Sequence, residues 1–360
     1  MGWFAAALVD GLAASGVSVV YVAPPMSPAY REPTNPNIIR IAVPPEWHGS
    51  PSRIHFTLSK LKRMAWTLIA IARQIPNSEK FLFTIPEIEI ITVPTFLLLR
   101  LWGKKVILIV HDPLPHDFAL LKRKQLARFL SRLQYHAASV LVTLSEAGRQ
   151  KLMSEFQISA SKIHVIPHGA FGFAHQSRIP GEHVLLAFGS IRQNKNVLEV
   201  LEAVKLARAT GLDVKLLVAG AYDPSPYCSA CEAVITGDPS AFINKTGSVL
   251  DEEIPHLIER TDAFILAYSE FDSQSGVAVM AGVNGRPVIS SFMGGIAELK
   301  PFGLTGVEIE QPITPFTIAS AIQEFYKTPL DQWRVAAETG RSKLSYYLDW
   351  ARLARFYLDL

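Results

Sequence analysis

Two segments in the second half of the chain combine basic, hydroxyl and glycine residues in an order that suits anion binding. Residues 188–196 read Phe-Gly-Ser-Ile-Arg-Gln-Asn-Lys-Asn and carry Arg192 and Lys195 between a predicted strand and a predicted helix. Residues 273–276 read Ser-Gln-Ser-Gly and open a later predicted helix. Free backbone amides at a helix start and nearby cationic side chains both bind phosphate groups. Together the segments predict a site for a phosphorylated ligand.

Other phosphate-binding signatures do not occur in the sequence. No strand is followed by Gly-x-Gly-x-x-Gly, and there is neither a Gly-x-x-x-x-Gly-Lys-Ser/Thr motif nor an Asp-x-Asp pair. We therefore expect no metal ion or other cofactor. A bound diphosphate would be neutralised by basic side chains and helix amides.

The elements that position these segments follow an alternating rhythm of short apolar runs and longer helical patterns. Continuous apolar runs are typical of buried parallel strands, so the rhythm predicts βαβ units. The predicted strands are residues 17–22, 38–43, 80–85, 106–110, 139–143, 163–166, 184–188, 213–219, 242–249, 263–267 and 287–290. The predicted helices are residues 2–13, 55–74, 88–102, 119–136, 146–156, 197–210, 251–260, 276–284 and 315–326.

The rhythm is interrupted once, at residues 170–182, which we interpret as a linker. We expect two doubly wound α/β domains, residues 1–169 and 183–343, with the active site in the cleft between them at the carboxyl ends of the strands. The chain opens with a helix, whereas such domains usually open with a central strand. The first strand is thus missing from the pattern, and we favour a truncated start over a genuinely incomplete sheet.

Charge is distributed unevenly between the two halves. Residues 1–180 contain 20 basic and 10 acidic residues, and residues 181–360 contain 15 and 22. Opposite signs indicate two domains with different partners, the basic one facing something anionic. Cys228 and Cys231 exclude a disulfide framework, and we interpret them as a fortuitous pair of reduced thiols.

Membrane insertion is not expected from the sequence. The most apolar stretch, residues 90–102, is shorter than the ~20 residues that span a bilayer. Residues 1–14 lack a basic start and contain Asp10, so we expect no signal peptide and a cytoplasmic protein with at most surface contact with a membrane.

A series of motifs in a fixed order carries a resemblance. In the first half they are His-Asp-Pro-Leu-Pro-His at 111–116, Thr-Leu-Ser-Glu at 143–146 and Val-Ile-Pro-His-Gly at 165–169. In the second half they are the basic segment at 188–195, a strand ending in Ala-Gly at 215–220, Tyr-Ser-Glu-Phe-Asp-Ser-Gln-Ser-Gly at 268–276, Gly-Arg-Pro-Val-Ile at 285–289 and Gly-Gly-Ile-Ala-Glu at 294–298.

The chain so described resembles GT-B glycosyltransferases, specifically retaining family 4 and its Ser-Gln-Ser-Gly branch. The resemblance implies two Rossmann-like domains facing across a cleft: an N-terminal acceptor domain and a C-terminal donor domain that binds a nucleotide-diphosphate sugar. Residues 344–360 look like the terminal helix that returns to the first domain. The family often has a second glutamate that grips the ribose. Alignment on the Gly-Arg-Pro-Val motif puts Met280 there and counting from Glu270 puts Ala278 there, so neither register keeps the carboxylate.

The resemblance also implies roles for individual residues. Arg192 and Lys195 would stabilise the departing diphosphate, and His111 would contact the donor sugar. Asp112 and His116 are candidate acceptor contacts, and His168 is interpreted as a hinge residue. The implied donor-binding residues are Gly189, Asp272, Ser275, Gly276 and Glu298.

The basic first half fits a saccharide acceptor that is linked to lipid, and an anionic membrane surface near it. Two helical patterns carry the charge, and apolar side chains are interleaved in the first of them. Near an anionic leaflet each Lys or Arg contributes about 1 kcal/mol. No nucleic-acid reader motif is present, so nucleic acid is not expected as a partner. The basic residues are Lys60, Lys62, Arg63 and Arg73 on the first pattern and Lys122, Arg123, Lys124, Arg128 and Arg132 on the second.

Three readings of function remain open at this point. The leading one is a glycosyltransferase that moves a hexose with retention of configuration in the synthesis of a bacterial surface polysaccharide. The second is a sugar-nucleotide epimerase on the same fold, which would call for acid and base carboxylates. The third is a degenerate glycosyltransferase that only binds, which Met280 favours and the retained Arg192, Lys195 and His111 oppose.

Overall fold

A computed structural model describes residues 2–24, 33–44, 53–84, 88–114, 124–173, 178–221, 225–269 and 271–360. The chain divides into two compact units. The first comprises residues 1–169 together with 349–360, and the second comprises residues 170–348.

The first unit alternates strands and helices as the apolar pattern predicts. Its strands are β1 (Val19–Ala23), β2 (Ile38–Ala42), β3 (Lys80–Phe83), β4 (Lys105–Val110), β5 (Val140–Thr143) and β6 (Ile163–Val165). Its helices before residue 169 are α1 (Gly2–Ala14), α2 (Arg53–Gln74), α3 (Glu89–Leu101), α4 (Lys124–Ala137) and α5 (Glu146–Phe156).

The strands of the first unit form two parallel sheets. β1 pairs with β2, and the second sheet has the order β3-β4-β5-β6. Within the described residues β1 and β3 do not pair with each other, and a cavity of about 150 Å³ is lined by parts of both. β4 is the most deeply buried strand, since residues 106–110 are each buried. The loop after β4 therefore starts from a fixed backbone.

The second unit contains one parallel sheet flanked by helices. Its strands are β7 (Val184–Phe188), β8 (Lys215–Gly220), β9 (Phe242–Thr246), β10 (Ala263–Leu266), β11 (Val288–Ser290) and β12 (Gly306–Glu308). Its helices are α6 (Val197–Ala209), α7 (Pro226–Gly237), α8 (Ile254–Glu259), α9 (Gly276–Val283), α10 (Pro315–Lys327) and α11 (Leu330–Tyr347).

The order of this sheet is β9-β8-β7-β10-β11-β12, and the registered pairs are parallel. The chain adds strands on one side of β7 and then returns to add β10 on the other side. The sheet order therefore reverses between β7 and β10, which is the topological switch point where open α/β sheets bind ligands.

The C-terminal segment differs from the single helix predicted over residues 344–360. α11 ends at Tyr347 and a separate helix, α12 (Trp350–Asp359), follows. The break lies at Asp349, whose carboxylate accepts a hydrogen bond from the Arg352 amide at 2.9 Å and caps the new helix. α12 packs on α1, where the carbonyl of Trp350 lies so close to Gly11 that no Cβ fits.

The two cysteines lie in α7, a helix that is not among the predicted ones. Ser225 caps α7 by accepting a hydrogen bond from the Cys228 amide at 3.2 Å. Cys228 and Cys231 are buried and free, and burial raises the pKa of Cys231 to about 11. Cys231 is therefore a protonated core thiol at neutral pH.

No helix in the described part of the chain combines the length and the apolar character that a bilayer crossing requires.

Candidate functional site

The basic segment and the Ser-Gln-Ser-Gly segment follow the two strands that flank the switch point. β7 ends at Phe188 and leads into Gly189 and the turn that carries Arg192 and Lys195. β10 ends at Leu266 and leads through Tyr268 to the start of α9. Because β7 and β10 are parallel neighbours, both loops leave the same edge of the sheet.

Two hydrogen bonds join these loops directly. The Asn196 side-chain amide donates to the carbonyl of Ala267 at 2.7 Å, and the Ser269 amide donates to the carbonyl of Asn194 at 3.2 Å. Asn196 has a φ of 50°, a left-handed conformation that Asn tolerates better than most residues. Asn196 thus ends the Lys195 turn, begins α6 and fastens the turn to the β10 loop.

Lys195 holds its ammonium group beside Gly189 and Tyr268. A Cβ on Gly189 would lie 3.1 Å from the Lys195 Nζ, and that Nζ lies 5.7 Å from the centroid of the Tyr268 ring. Burial, reinforced by the charge of Arg192, lowers the pKa of Lys195 to about 8. Within the described residues neither Lys195 nor Arg192 has an acidic partner, so both cations are available to an anionic ligand.

The start of α9 supplies backbone donors to the same place. Ser275 caps the helix, because its hydroxyl accepts a hydrogen bond from the Ala278 amide at 3.2 Å. The amides of Gly276 and Val277 precede that bond and belong to the first turn of the helix. No carbonyl within the helix can accept a hydrogen bond from amides in this turn. The Val277 side chain lies within 3.6 Å of a Cβ built on Gly189. The helix start and the Lys195 loop are therefore in contact.

Tyr268 links the two anion-binding groups. Its hydroxyl shares a hydrogen bond with Ser275, its ring lies against Lys195, and burial raises its pKa to about 12. Tyr268 and Asn196 both lie in sequence motifs, but neither was predicted to be a site residue. The signal that could have indicated Tyr268 is an aromatic residue two positions after the end of a strand at the switch point.

Asp272 and Glu298 lie on the neighbouring loops of the same sheet edge, and both are half-buried. Glu298 belongs to a 3-10 helix, Gly294–Phe302, that follows β11. Gly294 has a φ of 50° and packs so closely on the carbonyl of Phe271 that no side chain fits, and the Gly295 amide donates to Ser273 at 3.1 Å. The 3-10 helix is thus fixed to the loop that carries Asp272.

The first unit places His111 and Asp112 directly after β4. His111 contacts the ring of Phe4 edge-on, with 4.8 Å between centroids, and burial lowers the pKa of His111 to about 4. His111 is therefore a neutral imidazole at neutral pH. His116 lies outside the described residues, as do Lys122 and Arg123.

His168 belongs to the same aromatic cluster as His111. Its ring lies 5.1 Å from Phe4 and 6.3 Å from Trp350, between centroids, and burial lowers its pKa to about 4. His168 was predicted to be a hinge residue. The aromatic cluster around it was not predicted, because the members of the cluster come from both ends of the first unit. Spacing along the chain carries no sign of that contact.

Metal binding has no cluster to support it in the described residues. Nowhere in those ranges do three or more His, Cys, Asp or Glu side chains converge in a way that could hold an ion. The groups that converge at the switch point are cationic side chains and amides, which suit anions instead.

The fold and this sheet edge define a GT-B architecture, and solved structures share it. The chain superposes on Anabaena Alr3699/HepE in complex with UDP and glucose with a TM-score of 0.71 and 16% identity, covering 99% of this chain and 95% of that one. It superposes on WaaG, a glycosyltransferase involved in lipopolysaccharide biosynthesis, with a TM-score of 0.66 and 15% identity, covering 98% and 93%. The GT-B fold predicted from the sequence is confirmed.

Family models identify the class of protein more closely. Residues 1–170 match the model for Glycosyltransferase Family 4, and residues 182–328 match the model for Glycosyl transferases group 1. Both halves of the chain therefore match glycosyltransferase family models, as the motifs predicted.

Relatives with related sequences match little more than half of the chain. A lipopolysaccharide 1,2-N-acetylglucosaminetransferase of Salmonella typhimurium is 24% identical over 232 residues, which cover 57% of this chain and 58% of the relative. A glycogen synthase of Mycobacterium tuberculosis is 25% identical over 221 residues, covering 59% and 51%. The chain thus spans between half and three fifths of the length of these relatives.

Proposed function

We propose that this protein transfers a sugar from a nucleotide-diphosphate sugar to a saccharide acceptor, with retention of the anomeric configuration, in the synthesis of a surface polysaccharide. The observation that carries the proposal is the meeting of the Lys195 turn with the start of α9 at the switch point. One structural neighbour was crystallised in complex with UDP and glucose, which supports a nucleotide sugar as the donor.

The chemistry follows from where negative charge develops. When the glycosyl–phosphate bond breaks, charge accumulates on the leaving diphosphate. Arg192, Lys195 and the first amides of α9 are already in place to stabilise it, so little reorganisation is needed during the reaction. The acceptor hydroxyl attacks from the same face, and the leaving phosphate takes its proton. We propose that no metal ion takes part, since these groups supply the positive charge.

The remaining residues are assigned to the sugars. His111, neutral at working pH, can donate or accept a hydrogen bond with a donor-sugar hydroxyl without adding charge. Asp272 and Glu298 are proposed to contact the donor sugar. The loops that carry them are held together by the close packing of Gly294 on the carbonyl of Phe271. Asp112 and His116 are proposed acceptor contacts.

The acceptor is proposed to be linked to lipid, which places the protein at the cytoplasmic face of the plasma membrane. α2 supports this assignment, because exposed Trp66, Leu68 and Ile69 lie on it between the basic residues Lys62 and Arg73. An amphipathic helix of this composition binds at the surface of an anionic leaflet.

A second candidate function is nucleotide binding without turnover. Met280 is buried in α9 at the position where the resemblance implies a ribose-binding glutamate, and a thioether cannot accept a strong hydrogen bond from a ribose hydroxyl. This observation favours a degenerate enzyme and leaves the diphosphate site intact.

Calorimetry with a panel of nucleotide diphosphates, headed by UDP, separates these functions. We expect one nucleotide to bind and its sugar conjugates to be consumed in a transfer assay, with rates unchanged by EDTA. Binding without turnover of any conjugate would establish the second candidate. Absence of binding across the panel would contradict both, and loss of transfer in EDTA would contradict the metal-free mechanism alone.

Donor affinity is expected to fall with rising pH because of Lys195. The free protein loses the Lys195 proton near pH 8, whereas a bound diphosphate holds that proton on. Affinity should therefore be level between about pH 7 and 8 and fall by up to about tenfold per pH unit above that. Burial raises the pKa of Tyr268 to about 12, so its titration does not mask the effect. The measurement is calorimetry from pH 7 to 9.5, and a level profile up to pH 9.5 would remove Lys195 from the diphosphate.

A further inference from the structure

α3 is apolar on both of its faces. Its inner face buries Thr92, Phe96 and Leu99 in the first unit. The outer face carries exposed leucines at positions 97, 98 and 101, three and four residues apart, and ends at Trp102. Leu101 is 80% exposed and Trp102 is 59% exposed. An outer stripe of this size on a surface helix marks an interaction surface rather than scattered exposure.

α4 lies against α3 and repeats the arrangement. The Gln134 side-chain amide donates to the Thr92 hydroxyl at 2.6 Å, and Arg100 donates to the carbonyl of Ala137 at 3.2 Å, so the helices are neighbours. α4 exposes an apolar stripe and, along the helix beside it, a basic stripe. The apolar stripe is Leu126, Phe129 and Leu133, and the basic stripe is Lys124, Arg128 and Arg132.

The charge of this surface has one sign. No Asp or Glu occurs between residues 90 and 111 or between residues 118 and 145. In the described residues the acidic side chain that reaches the basic stripe is Glu155, which pairs with Arg128 at 2.7 Å. Exposed leucines and a tryptophan flanked by lysines and arginines are the composition of a helix that lies in the interface of an anionic bilayer.

Self-association fits this surface less well. A two-fold dimer brings the same patch of each copy together, so the basic stripes would face each other at close range. α2 is also a poorer candidate for apolar insertion, because exposed Lys62 stands between Leu61 and Trp66, and Trp66 is 45% exposed where Trp102 is 59% exposed. On α3 the charge between Leu98 and Leu101 is that of Arg100, whose guanidinium donates to the carbonyls of His136 and Ala137 on α4, and the exposed apolar side chains adjoin a separate basic stripe.

The geometry points to the outer face of α3, with the neighbouring stripes of α4, as the surface that inserts into the headgroup region of an anionic membrane. This inference rests on the membrane-bound acceptor of the proposed function and identifies where the protein meets that membrane. Leu98, Leu101 and Trp102 enter the apolar boundary, and Lys124 and Arg132 lie at the phosphates.

Vesicle flotation of the full chain tests the surface. We expect the protein to float with phosphatidylglycerol vesicles at low salt, to float less at high salt, and to stay unbound with phosphatidylcholine. The double variant Leu98→Glu/Leu101→Glu should lose more than about tenfold in partitioning, because it replaces two apolar side chains at the proposed contact with carboxylates that an anionic leaflet repels. The matched control is Val335→Glu on α11, where the original side chain is 69% exposed, and it should float as the unaltered chain does.

Brominated phosphatidylglycerol identifies which helix enters the bilayer. Quenching of tryptophan fluorescence should be largely lost in Trp102→Phe and retained in Trp66→Phe, which alters α2. The reverse result would move insertion to α2 and overturn the inference. A concentration-dependent dimer that Leu98→Glu/Leu101→Glu dissociates would assign the surface to a second copy instead.

These results are independent of sugar transfer. Nucleotide binding in solution should be equal in the unaltered chain and the double variant, because the groups proposed to bind the diphosphate, Arg192, Lys195 and the start of α9, belong to the second unit. If the unaltered chain binds nucleotide but no vesicles, the docking surface is wrong and the donor site stands. If it binds vesicles through α3 but no nucleotide, the proposed function fails and the surface stands.

Discussion

Replacing Lys195 with alanine should nearly abolish sugar transfer while leaving the fold intact. Loss of one preorganised donor to a developing oxyanion typically lowers the rate by about 10²–10³. Lys195 is expected to lie at the upper end of that range, since its ammonium is partly shielded from water and has no acidic partner among the described residues to share its charge.

The fold should tolerate this change because the Lys195 charge opposes folding. A pKa lowered to about 8 means that the charged form is less stable in the folded chain than in the unfolded one. The unfavourable contribution is fully present below pH 8 and declines as the pH rises towards the unfolded value. Removing the amine at pH 7 is thus expected to leave the thermal midpoint unchanged or slightly raised. A residue that costs stability in this way is typical of a binding site.

The matched control is Lys205→Ala on α6. The Lys205 amine lies 5.8 Å from the centroid of the Phe242 ring, much as Lys195 lies against Tyr268, but Lys205 is exposed and away from the switch point. Transfer should be unaffected by this change. The assignment of Lys195 to the diphosphate is wrong if Lys195→Ala keeps transfer within about threefold of the unaltered chain, well short of the loss expected for an oxyanion donor.

Strand positions were predictable where a continuous apolar run marks a strand of a parallel sheet. Val184–Phe188 was predicted at the observed bounds, and the predicted start of β9 at Phe242 is also the observed one. The strand β12 was not predicted. β12 is three residues long and is held by its pairing with β11, which no local pattern encodes.

α11 was missed for a different reason. Its buried face is narrow and made of Ala337, Gly340 and Leu344, so the apolar pattern is weak. Gly340 packs directly on Gly303, a backbone contact that leaves no room for a side chain on either residue. The helix is stabilised by this tertiary contact more than by its own sequence, and glycine within a helix argues against helix in a local pattern.

The candidate site was predictable in its ligand-facing groups but not in its supports. Arg192, Lys195 and the Ser-Gly helix start follow parallel strands, and their common edge follows from the topology rule. Tyr268 contacts Lys195 through a ring face, and Phe4 contacts His111 and His168 from the other end of the first unit. Such supports depend on packing between distant elements, so spacing along the chain does not reveal them.

Replacing Gly220 with alanine should cost both stability and transfer. Gly220 is the last residue of β8 and has a φ of 136°, which other residues rarely adopt. A Cβ there would overlap the backbone carbonyl of Gly189, and Gly189 in turn is tied to β8 by its amide, which donates to Ala219 at 2.9 Å. The strain alone is expected to lower the free energy of unfolding by about 1–3 kcal/mol.

Transfer should fall further than stability explains, because the overlap displaces the loop that holds the Lys195 ammonium. A shift of about 1 Å in a positioning element can lower a rate by about 10²-fold. Gly211→Ala separates strain from displacement: Gly211 also has a positive φ, 95°, but no atom lies within 4 Å of an added Cβ. Urea unfolding should show a loss in both variants, whereas transfer and nucleotide affinity should fall in Gly220→Ala alone. Equal transfer by the two variants would mean that the β7–β8 contact does not position Lys195, and the support of the donor site would then have to come from Asn196 and Tyr268.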